Sequence, residues 1–73
     1  MARQSKKIVK EIPKTDTGPR NTFTTSGGVD YIISQDPMKR RFTLWESVDS
    51  GYLKLGTSDG SPQKLYTMIP WDD

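Results

Sequence analysis

Val29-Asp-Tyr-Ile-Ile-Ser-Gln35, Arg41-Phe-Thr-Leu-Trp-Glu-Ser-Val48 and Tyr52-Leu-Lys-Leu55 decide how this chain folds. Each run is short and rich in β-branched and aromatic residues. Each is bounded by Asp, Pro, Ser or Gly, the composition of strands joined by tight turns. Successive side chains of a strand point to opposite faces. Val29, Tyr31 and Ile33 therefore share one face, as do Phe42, Leu44, Glu46 and Val48. Arg41, Thr43, Trp45 and Ser47 share the other, and Leu53 and Leu55 oppose Tyr52 and Lys54. Asp36-Pro37-Met38-Lys39 has the Asp-before-Pro order of a type I turn, and Asp49-Ser50-Gly51 closes a second hairpin.

Upstream, Asn21 to Thr25 has strand composition, and Ser26-Gly27-Gly28 suits a hairpin with a left-handed position. Downstream the period changes. Ser61-Pro62 is a helix start, Leu65, Met68 and Ile69 form one apolar stripe at i, i+3 and i+4, and Pro70 stops the helix. A helix of about two turns is unstable alone and has to dock on the sheet. The expected fold is a small α+β domain over residues 21–73. It comprises an antiparallel meander of three to four strands over Asn21–Leu55 and one short C-terminal helix over Pro62–Ile69, packed on one face. Residues 1–20 read as a flexible basic N-terminal tail, with a short edge strand over Lys7–Ile12 as the ordered alternative. Ile8, Val9 and Ile12 are too few to offset chain ordering, and Pro13 and Pro19 discourage helix.

Seventy-three residues suffice for one small core. With no cysteine and no histidine, the chain lacks disulfides, thiolate zinc sites and the usual neutral-pH proton shuttle. No apolar run approaches the roughly 20 residues that span a bilayer, and residues 1–10 lack the apolar core of a signal peptide. The expected setting is cytoplasmic, without a membrane. The net charge of +2 divides unevenly: residues 1–20 carry six cations against two acids, and residues 21–73 five against seven. A basic arm precedes a mildly acidic body.

Catalysis is not expected. The aspartates sit at turns, where Asp caps its own backbone, or at the end of the chain, and no phosphate-binding glycine loop or calcium loop is present. No catalytic residue, cofactor or metal is assigned. The residues left for binding are cations near aromatic rings: Lys6, Lys7 and Lys10 in the arm, and Lys39, Arg40, Arg41, Trp45, Tyr52 and Lys54 on an open sheet face. In single-strand binders, rings stack on bases while cations meet phosphates. The plainer readings are a solubilising tail, cations that discourage edge pairing, and a tryptophan that belongs to the core.

Two functions follow. The first is a non-enzymatic nucleic-acid-binding module, with DNA and RNA equally compatible. The alternative is a protein-interaction module, such as a small inhibitor or accessory protein of bacterial or phage type, that uses the aromatic sheet face and the helix. A homodimer burying the open face is its plainest form. The strand–strand–strand–helix order is similar to that of several unrelated small modules, among them the arm-binding domains of some integrases, whose diagnostic residues have no counterpart here.

Overall fold

Backbone pairing carries the β character of residues 29–55 further than the sequence suggests. In the computed structural model, which describes residues 8–72, five antiparallel strands form one sheet. They are β1 (Ile8–Val9), β2 (Asn21–Thr24), β3 (Asp30–Asp36), β4 (Arg41–Val48) and β5 (Gly51–Asp59), in the spatial order β1-β5-β4-β3-β2. A single turn of helix, α1 (Gln63–Tyr66), follows. No helix among the described residues is long and apolar enough to cross a membrane.

The expected small antiparallel sheet with one short helix is present, but with five strands, so the fold is mostly β. β4 has the bounds expected of it, whereas β5 continues through Gly56-Thr57-Ser58-Asp59, a stretch that reads locally as a loop. Its pairing with β4 supplies the reason: Phe42 opposes Ser58, Thr43 opposes Thr57 and Leu44 opposes Gly56, and this ladder outweighs weak intrinsic preference. A register shift between Leu44 and Trp45 leaves Leu55 as an extra residue, the signature of a β-bulge.

The turns follow their residue chemistry. Gly28 takes the left-handed position of the β2–β3 hairpin at φ 83°. Asp36 Oδ1 accepts from the Met38 and Lys39 amides at 3.1 and 3.4 Å, holding the β3–β4 turn. The helix is shorter than its apolar stripe implied. Its N-cap is Pro62, while Ser61 Oγ accepts from the Gln63 amide at 3.2 Å from one position earlier.

The helix-side face has most of the expected inward set, but Met68, expected in the apolar stripe, lies beyond α1 and is 41% exposed. Leu65 and Ile69 close over Tyr31, Ile33 and Leu44, with Phe23, Val29, Phe42, Leu55 and Tyr66 packed around them. Complete burial of an aliphatic side chain contributes about 1.5–3 kcal/mol, so these contacts dock a helix too short to persist alone. Phe23 meets Tyr66 and Trp71 edge-to-face at centroid distances of 5.6 and 5.5 Å.

The opposite face is not open, which corrects the sequence-based expectation. Residues 8–20, expected within a flexible tail, begin as β1 on the β5 edge, where Ile8 opposes Leu53 and Val9 opposes Tyr52. Residues 10–20 then cross the sheet as a strap to reach β2 on the far edge. Ile12 and Asp16 are the buried residues of the strap, and the Gly18 amide donates to the Gln35 carbonyl at 3.0 Å. Where the chain leaves β1, a Cβ on Gly51 would collide with the Val9 carbonyl oxygen, so only glycine lets the crossing lie this close. Residues 1–7, with Arg3, Lys6 and Lys7, lie outside the described residues.

Candidate functional site

The strap covers Trp45 and, in doing so, creates a cleft. Period-two alternation puts Ser34, Asp36, Thr43, Trp45, Lys54 and Thr57 on the strap side, because cross-strand partners share a face. Trp45 is only 3% exposed and donates from Nε1 to Ser34 Oγ at 2.8 Å. Ser34 in turn donates from Oγ to Asp16 Oδ2 at 2.5 Å. A hydroxyl can donate once while accepting, so one buried serine satisfies the indole and ties down the strap. Stacking of bases on an open Trp45, as the sequence suggested, is therefore ruled out: the indole is core, and its polar edge is already engaged.

Beside this relay lies a half-open cleft of about 170 Å³ between the strap and strands β3 to β5. Pro13 and Trp45 provide apolar wall, and Thr43 and Thr57 provide hydroxyls from paired positions. Lys39, Arg41 and Lys54 also line it, each reaching it from an exposed position. Four of the expected binding residues, Lys39, Arg41, Trp45 and Lys54, thus converge. Arg40 is next to them in the β3–β4 turn, in the left-handed region at φ 52°, where a non-glycine residue is disfavoured. Arg41 Nε pairs with Asp59 Oδ1 at 3.1 Å, and both side chains are largely exposed.

The other expected residues lie elsewhere. Lys10 is exposed at the start of the strap, where the Gly51 backbone approaches it, at the end of the sheet that carries the β4–β5 turn. Tyr52 is half-buried opposite Ser47 and beside Val9. Lys6 and Lys7 fall outside the described residues.

Lys39, Arg40 and Arg41 occupy the β3–β4 turn end together with Asp36 and Asp59, while Asp30, Glu46 and Asp49 line a shallow depression at the opposite end. No group of three or more potential metal ligands occurs among the described residues.

Sequence reasoning missed Asp16 altogether. Asp16 and Asp36 both line the cleft and are 8% exposed. Asp36 was legible as a turn cap, but nothing local to Thr15-Asp16-Thr17 marks a buried carboxylate, whose partner Ser34 is 18 positions away. Comparison with family models, with curated proteins and with solved structures returned no match.

Proposed function

We propose that this domain is a non-enzymatic nucleic-acid-binding module that grips backbone phosphates through Lys39, Arg40, Arg41 and Lys54. The observation that carries the reading is that cations from the β3–β4 turn and from β5 meet at the rim of one cleft. Such a cluster of cations attracts a polyanion and adds counterion release to the binding free energy. Arg40 adds a second support. Glycine would hold its left-handed turn position more cheaply, so an arginine there retains a cation at a backbone cost.

The test is the salt dependence of binding to a short single strand. Each phosphate contact contributes about 0.7 to the slope of log Kobs against log salt. Neutralising Lys39, Arg40, Arg41 and Lys54 together should lower that slope by about 2–3. Arg40→Gly alone should weaken binding without lowering stability. A slope near zero in the unaltered protein would defeat the reading.

A protein-interaction reading has one observation in its favour. Met38 is 91% exposed at the tip of the same turn, an apolar side chain that a partner could cover. Binding of that kind would change little with salt.

A further inference from the structure

The two carboxylates in the cleft have a feature that phosphate binding does not use. Asp16 spends Oδ2 on the Ser34 hydroxyl, and Asp36 spends Oδ1 on two turn amides. The second oxygen of each, Asp16 Oδ1 and Asp36 Oδ2, has no hydrogen-bond partner among the described residues. Both residues are 8% exposed, and both line the same cleft. Lys39, Arg41 and Lys54 border that cleft, yet none stands within ion-pair distance of either carboxylate. The ion pair among the described residues is Arg41 with Asp59. A carboxylate oxygen with spare acceptor capacity beside a confined cleft can accept from the N–H groups of an occupant.

We infer that the cleft seats one unpaired nucleobase, with Asp16 and Asp36 accepting from its ring and amino N–H groups, and that guanine is the favoured occupant. This rests on the nucleic-acid reading above and deepens it. Size limits the guest: about 170 Å³ is below the roughly 300 Å³ at which drug-sized ligand sites begin, so a single heterocycle is the right scale. Donor pattern selects among heterocycles. Guanine carries an imino N–H and an amino group side by side, which a carboxylate can accept together. Adenine and cytosine offer an amino group beside an acceptor. Thymine and uracil offer one N–H flanked by two carbonyl oxygens, which would face the carboxylates unfavourably. The Thr43 and Thr57 hydroxyls can donate to the guanine carbonyl, while Lys39, Arg41 and Lys54 meet the phosphates on either side. The cations set affinity and the buried acids set sequence preference.

The experiment measures fluorescence anisotropy of the whole protein with a short labelled oligothymidylate, unmodified or with one central deoxyguanosine, deoxyinosine, deoxyadenosine or deoxycytidine. A single guanine should tighten binding by at least about fivefold, the range of one good bidentate contact. Deoxyinosine, which lacks the amino group, should lose most of that gain in the unaltered protein. In D16N and D36N the guanine preference should disappear while oligothymidylate binding persists. Both variants keep the local geometry, because the asparagine oxygen can still accept from Ser34 or from the turn amides. Equal, salt-sensitive binding of all five strands would overturn the base seat and leave phosphate binding intact. Guanine preference that survives in both variants would also overturn it. Absence of binding to every strand at low salt would overturn both readings.

Discussion

The two faces of this sheet come from the same strands by simple alternation, yet they solve different problems. On the helix side, Ile33, Leu44, Leu65 and Ile69 exclude water with side chains that need no partners. On the strap side, Trp45, Ser34, Asp16, Asp36 and Thr43 are just as hidden, but all carry polar atoms. The first face gains from area alone. The second depends on donors meeting acceptors, as in the Trp45–Ser34–Asp16 relay. The contrast teaches that burial and stabilisation are separate quantities: one face gains from apolar area, and the other gains only through its hydrogen bonds.

That contrast can be broken by mutation, and the largest effect belongs to the apolar side. Leu44→Ala should cost about 2–5 kcal/mol in denaturant unfolding, because it opens a cavity beneath a helix that cannot rearrange to fill it. Ser34→Ala should cost less, about 1–3 kcal/mol, the penalty for stranding a buried polar group. Its signature differs too: the Trp45 indole proton, slow to exchange in the parent protein, should exchange rapidly in the variant, whereas that of Trp71, bonded to the Tyr66 carbonyl, should not change. If the two variants proved equally destabilised with no change in indole exchange, the strap side would be an ordinary second core. Smallest is Arg41→Ala. Its ion pair with Asp59 is exposed, so stability should fall by no more than about 1 kcal/mol. The same change should weaken oligonucleotide binding, which separates the function of that cation from any part in the fold.

Much of the helix-side face was legible because its signals are local. The alternation of Phe42 and Leu44, the Asp36-Pro37 turn, Gly28 and the Leu65 and Ile69 pair each sit within a few residues, and each led to the observed placement, although the helix ends before Met68. The strap was not legible for the opposite reason. It is held by one isoleucine, one aspartate and backbone contacts to residues far along the chain, none of which leaves a period in the sequence. Alternation did assign Trp45 to the correct face, but the period of a strand says nothing about what lies over that face. The cationic rim was readable from Lys39-Arg40-Arg41 and Lys54. The acids beneath it were not, because Asp36 looked fully accounted for by its turn and Asp16 looked like part of a tail. β5 was underestimated because Gly56 to Asp59 has the composition of a loop, and only the facing strand makes it extended.

The crossing of the strap also carries a consequence for synthesis. β1 pairs with Leu53 and Tyr52, so a strand near the start of the sequence waits for one made much later. As the chain emerges, β2, β3 and β4 can zip together as successive local hairpins, while Ile8 and Val9 have no partner until β5 appears. Asp16 and Gly18, by contrast, can be claimed as soon as Ser34 and Gln35 have formed their strand. Docking of the strap on β3 therefore precedes closure of the sheet edge. The same order run backwards makes β1 the first element to detach, a local opening that need not disturb Asp16 or the cations around it.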